Sequence, residues 1–136
     1  MSDFITENNY LDHAATTYVR PEVLEKMLPF FSEKFGNPSS LYDIAQESKN
    51  AIEEARETSA TILGCHPSEI YFTSGGSESN NMAIKGIFSN NTDFNVISSL
   101  IEHHAVIHPI EQLSNIGVAT SFVEVDQLGL IKLDNF

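Results

Sequence analysis

The apolar positions of this chain alternate between helical and extended spacing. From Pro21 onward, Val23, Leu24, Met27, Leu28 and Phe31 recur on one helical face. Pro21 suits the first helical position, because an N–H there would have no intrahelical partner. Pro29 interrupts the pattern and predicts a kink or an early end. Phe35-Gly36-Asn37-Pro38-Ser39-Ser40 reads as a loop whose serines cap the next helix. That helix is the clearest in the chain. Ile44, Ser48, Ala51, Ile52, Ala55, Ser59, Ile62 and Leu63 recur at helical spacing, while Asp43, Glu47, Lys49, Glu53, Glu54, Arg56 and Glu57 form a solvated opposite face. Gly64 ends it.

Residues 69–73 are rich in β-formers and predict a first strand. Ser74-Gly75-Gly76-Ser77 is a tight turn, followed by a helix carrying Met82, Ala83, Ile84, Ile87 and Phe88. Residues 95–100 predict a second strand, 104–114 a helix and 119–125 a third strand, whereas 131–136 show no closing element. Tyr10, Phe30, Phe31 and Phe35 are candidates for a core or a small interface. There is no internal repeat. Such alternation predicts an α/β fold, a mainly parallel sheet with helical crossovers.

Composition narrows the function. The 136 residues make one ordinary domain, and 41% hydrophobic content is enough for a core. Nineteen acidic against seven basic residues give a formal net charge of -12, which repels nucleic acid and anionic membranes. Any bound phosphate must therefore be held by local backbone groups. The single cysteine, Cys65, allows no intrachain disulfide and no Cys-rich zinc site. No apolar run reaches the ~20 residues that span a bilayer, and the opening MSDFITENNY lacks the pattern of a secretory signal. The expectation is a soluble, cytoplasmic protein that binds neither membrane nor nucleic acid.

The stretch that can carry chemistry is Phe72-Thr73-Ser74-Gly75-Gly76-Ser77-Glu78-Ser79-Asn80-Asn81. A glycine turn that opens a helix gathers free N–H groups at the positive end of the helix dipole. It suits a phosphate on a small cofactor, and it also suits a bland helix-initiating turn capped by Ser77. It is not a P-loop, since no Lys follows the glycines, and it lacks the dinucleotide-binding Gly-x-Gly-x-x-Gly. His104, His108 and Glu111 share one helical face and could be read as a metal set. They lack the Glu of His-Glu-x-x-His, so a solvated or interface face is preferred and no metal is assigned. Cys65 is read as structural and His66 as a loop residue.

Four blocks carry a resemblance. Tyr10-Leu11-Asp12-His13-Ala14-Ala15-Thr16-Thr17, Phe35-Gly36-Asn37-Pro38-Ser39-Ser40, the Phe72–Asn81 stretch and Glu102-His103-His104-Ala105-Val106 stand in an order and at separations that resemble the cysteine desulfurases. Those are pyridoxal-phosphate enzymes of the class V aminotransferase group. The resemblance implies the N-terminal part of the large domain of a fold-type I transferase, with residues 1–20 as an N-terminal segment and 21–136 as an incomplete cofactor-binding domain.

It also implies roles. Gly76 and Ser77 would bind the phosphate of pyridoxal 5'-phosphate, with Ser77 in place of the commoner Thr. His103 would stack on the pyridine ring and shuttle protons. His13, Ala14, Thr16 and Asn37 would lie on the substrate side. The implied reaction takes sulfur from L-cysteine, leaving alanine and an enzyme persulfide that feeds iron–sulfur cluster assembly or thiolation through a sulfur-acceptor protein. The family's cofactor-binding Lys, its pyridine-pairing Asp and its nucleophilic Cys would lie downstream. None of Lys26, Lys34, Lys49, Lys85 and Lys132 matches the first, nor Cys65 the last. The chain alone is therefore expected to be inactive, needing a complementary C-terminal segment, and full members pair as homodimers. The alternatives are a binding module that has lost its chemistry and a fragment of a related class V aminotransferase or selenocysteine lyase.

Overall fold

The computed structural model describes residues 10–88 and 94–132. The first nine residues, where a leader pattern was sought, and the final residues (133–136) lie outside the described residues. The chain divides into two compact units, Met1–Ile70 and Tyr71–Phe136.

In the first unit, Pro29 splits the expected early helix into α1 (Pro21–Met27) and α2 (Pro29–Ser32), each with a proline in its first turn. The long helix α3 (Asp43–Leu63) ends where Gly64 takes a left-handed φ of 69° and Cys65 N–H reaches the Ala60 carbonyl at 3.0 Å. The serines do not cap it. The position before its first turn is Tyr42, which makes no side-chain cap, while the Ser39 and Ser40 amides bond to Asn37 instead, each at 3.0 Å.

The buried face of α3 also differs from the expected one. It consists of Ala45, Ser48 and Ala60, whereas Ile62 is 79% exposed and Leu63 and Ile52 are exposed too. At the start of the helix a close backbone approach accounts for the small residues. A side chain at Gly36 would collide with the Ile44 carbonyl and stand 2.8 Å from the Ala45 amide nitrogen, so only small residues fit there. Polar ties complete the unit. Ser48 donates its hydroxyl to the Lys34 carbonyl at 3.0 Å, Lys34 pairs with Glu47 at 2.6 Å, and the Arg56 guanidinium donates to the Ile70 carbonyl. Tyr10, Phe30, Phe31 and Phe35 are exposed, not core.

The expected strand at 69–73 is not formed. Residues 67–69 make a 3-10 turn in which the His66 ring accepts from Ser68 N–H and the Glu69 carboxylate accepts from His66 N–H at 2.7 Å. Glu69 is held in that turn and the Ile70 carbonyl is taken by Arg56, so the first two residues of the segment are not available to a ladder.

The second unit runs α4 (Gly76–Phe88), β1 (Asn95–Ser99), α5 (His104–Asn115) and β2 (Ala119–Val123). The two strands pair in parallel, Asn95 opposite Ala119 through Ser99 opposite Val123. Helix α5 connects them and packs on α4, as the α/β expectation requires. Pro109, Ile110 and Leu113 of α5 are buried with Val118 and Val123. The third predicted strand splits. Strand β2 stops at Val123, then Val125 bridges Ile131 antiparallel around a turn in which Asp126 accepts from the Leu128 and Leu130 amides at 2.8 and 2.9 Å. No described helix is long and apolar enough to cross a membrane.

Candidate functional site

The site lies in the second unit, where α4 and α5 begin. Ser79 N–H bonds to the Gly75 carbonyl at 3.1 Å and starts the intrahelical ladder of α4. By helix geometry the amides of Gly76, Ser77 and Glu78 then project from its N-terminal end. The positive end of the helix dipole adds to them, so the turn offers an anion several donors without a cation.

At α5, His103 stands just before the first helical residue. Its Nδ1 accepts the Ala105 N–H at 3.0 Å, and its carbonyl accepts from Val106 at 2.8 Å. That cap fixes the ring's direction and leaves Nε2 as the nitrogen able to carry a proton. Ser77 and His103 line one cleft of about 350 Å³, together with Asn81 from α4 and His104, His108 and Gln112 from α5. The His104 and His108 rings stack with centroids 5.0 Å apart. Among the described residues no three His, Cys, Asp or Glu side chains gather as a metal set.

Comparison with known proteins decides the family. The family described as aminotransferase class-V matches residues 9–136. The chain belongs to the class-V aminotransferases. Within that family, this chain is similar to the cysteine desulfurase IscS of Methanosarcina thermophila, with 50% identity over 133 residues, 95% of this chain and 33% of that protein. The IscS of Clostridium botulinum is 47% identical over 93% of this chain and 32% of its own length. Among solved structures, a NifS-like protein superposes with a TM-score of 0.80 at 40% identity, over 93% of this chain and 35% of that one. SspA, solved in complex with cysteine, gives a TM-score of 0.78 at 44% identity, over 83% of this chain and 33% of its own. This class-V chain thus spans about a third of the length of the curated relatives it matches.

Of the residues expected from the sequence, the structure brings Ser77 and His103 onto one cleft, with Gly76 immediately before Ser77 as the first residue of α4. His13, Ala14, Thr16 and Asn37 belong to the first unit. There, His13 Nδ1 lies 3.0 Å from the Thr17 hydroxyl and its ring meets Tyr10 edge-on, while the Thr16 carbonyl accepts from the Tyr10 hydroxyl at 3.2 Å. Asn37 is occupied by its own turn.

Three features went unread in the sequence of this class-V chain. Gln112 lines the cleft beside His104 and His108, and the spacing of the three by one helical turn was the available signal. The hydroxyls of Thr73 and Ser79 lie 2.7 Å apart, so one donates to the other, and the remaining hydroxyl donates to the Gly75 carbonyl at 3.2 Å. Glu78 folds back over the turn. Its Oε2 accepts from both the amide and the hydroxyl of Ser74, each at 2.6 Å. Those bonds, the hydroxyl's first, hold the Glu78 carboxyl below its ordinary range.

Proposed function

We propose that this chain supplies the cofactor-phosphate part of a pyridoxal-phosphate-dependent cysteine desulfurase, with residues 21–136 belonging to its large domain. The observation that carries the reading is the shared cleft of Ser77 and His103. The residues fit the cofactor. The outward amides of Gly76 and Ser77, with the Ser77 hydroxyl, match a phosphoryl group in a chain whose net charge of -12 offers it no general attraction. A cleft of about 350 Å³ lined by His103 would also have room for an aromatic ring.

When bound, pyridoxal phosphate supplies the electron sink for breaking bonds at the amino acid's α-carbon. The protein does the rest. Gly76 and Ser77 hold the phosphate and so fix the position of the ring. His103 covers the ring, and its Nε2 moves the proton, because Nδ1 is committed to the Ala105 amide. His13, Ala14, Thr16 and Asn37 belong to the substrate side in the same proposal. L-cysteine is the substrate, and a sulfur-acceptor protein receives the product sulfur. Two features support the desulfurase: the names of the relatives and the cysteine complex of SspA. The remaining residues of the reaction would come from a complementary C-terminal segment, and a homodimer is the expected assembly.

The test joins this chain to the complementary two thirds of the Methanosarcina thermophila relative. Binding of pyridoxal phosphate and of pyridoxal, which lacks the phosphate, is measured by equilibrium dialysis, with alanine release from L-cysteine followed in parallel. Pyridoxal phosphate should bind more tightly. Ser77→Ala should cut that preference by about tenfold, the worth of one charge-assisted hydrogen bond. Equal affinity for the two compounds, unchanged by Ser77→Ala, overturns the phosphate assignment. Phosphate preference without alanine release overturns the desulfurase.

A further inference from the structure

We infer that Glu78 is a positioning residue for the phosphate cup: its carboxylate clamps the Ser74 amide and hydroxyl, so that the amides of Gly76 and Ser77 stay aimed at one point. The inference rests on the proposed cofactor reading. It adds an acidic residue to a site that binds an anion, which the charge of Glu78 alone would not suggest.

The geometry is a double clamp on a turn without side chains. On one side, Glu78 Oε2 takes both Ser74 donors at 2.6 Å. On the other, the Gly75 carbonyl accepts from the Ser79 amide at 3.1 Å and from one of the paired Thr73 and Ser79 hydroxyls, both of which stand at 3.2 Å. Between the clamps lies Gly75-Gly76, two residues with the greatest backbone freedom of any type. Neither would meet another group if it carried a Cβ, so packing does not fix this turn. Its conformation depends on the hydrogen bonds.

Two effects of Glu78 oppose each other. Its negative charge repels a phosphate, and its clamp preorganises the donors that bind one. The carboxylate is exposed, so water weakens the repulsion, and its two Ser74 donors offset part of the charge. The clamp is not weakened in the same way, because its two bonds are short, direct and charge-assisted. Positioning therefore outweighs repulsion, as preorganised donors lose less freedom on binding.

The experiment uses the whole chain with its complementary segment and measures the dissociation constants of pyridoxal phosphate and pyridoxal for Glu78→Ala, Glu78→Gln, Ser74→Ala and Ser77→Ala. Glu78→Ala should lower the preference for the phosphorylated compound by about tenfold while leaving pyridoxal affinity unchanged. Glu78→Gln keeps an oxygen that can accept both Ser74 bonds and should restore most of the preference. Ser74→Ala, which removes one of the two donors, should fall between wild type and Glu78→Ala, and it serves should Glu78→Ala fail to fold. If Ser77→Ala lowers the preference but Glu78→Ala leaves or raises it, Glu78 does not position the cup. An equal loss for both compounds in Glu78→Ala makes its role general folding and also defeats the inference. If wild type shows no preference and Ser77→Ala changes nothing, the cofactor reading has failed, and this inference with it.

Discussion

The two units hold together by different means. In the second, β1, β2 and α5 enclose a small apolar core, with Ile110, Leu113, Val118 and Val123 buried together. In the first, no large side chain among the described residues is buried. Its buried residues are Ala45, Ser48 and Ala60, and its ties are a close backbone approach at Gly36 and a few polar contacts from Ser48, Lys34 and Arg56. Its large apolar residues stay outside, Leu41 at 94% and Leu11 at 89% exposure. An apolar core tolerates the loss of any one polar partner, whereas a unit built on small-residue contact depends on a few backbone positions. The glycine turn at 74–77 and His103 belong to the unit with the apolar core, whose packing steadies the helix ends that are proposed to hold a cofactor.

Core truncation is the largest break in this comparison. Leu113→Ala removes a buried side chain between α5 and β2 and should cost about 2–5 kcal/mol. In hydrogen exchange it should speed the amides of α5 and β2, and it should loosen His103, which caps the same helix. The amides of α3 should be unaffected. A uniform rise across both units would mean that they unfold as one.

Gly36→Ala comes next. Its methyl would enter the backbone of Ile44 and Ala45, an overpacking that costs about 1–3 kcal/mol. The faster-exchanging amides should now be those of Ala45 and Gln46 in the first turn of α3, which bond to the Tyr42 carbonyl. Protection of β1 and β2 should be unchanged. A neutral Gly36→Ala would remove the backbone contact as the reason for the small-residue face.

That contact also explains what the sequence could not reveal. The length of α3, and its end at Gly64, follow from spacing and from one glycine, both local signals. Its buried face does not, because Ile62 and Leu63 fit the apolar period as well as any residue does, and at the other end the small Ala45 is favoured by a loop glycine eight residues before Ile44. The strand expected at 69–73 has the right composition, but a strand exists only where a partner accepts its edge. Here the 3-10 turn and Arg56 had already claimed the backbone of Glu69 and Ile70, where that strand would begin. At the site, the glycine turn and His103 were legible as motifs. The Glu78 clamp was not read, since an acid in the first turn of a helix is usually a dipole partner, and its reach back to Ser74 depends on a rotamer.

The smallest effect belongs to Lys34 and Glu47, and its sign tests whether the first unit relies on polar ties. The hydrogen bond from Lys34 to Glu47 raises the Lys34 pKa first, then the Glu47 charge raises it further; desolvation opposes them, and Glu33 adds a minor rise. Because the folded-state value is raised, the pair's contribution is fully present below the ordinary lysine pKa and is lost as pH rises through the folded value. The pair is partly exposed, so the stability it adds is modest and falls with salt. Glu47→Gln should therefore lower the melting temperature slightly near neutral pH, with the gap to wild type closing only as pH rises above the ordinary lysine value. Taking the difference between the two proteins cancels the other lysines and tyrosines that titrate over the same range. A gap that stays constant to high pH would assign the effect of Glu47 to the packing of α3, leaving Gly36 and Ser48 to hold the first unit together.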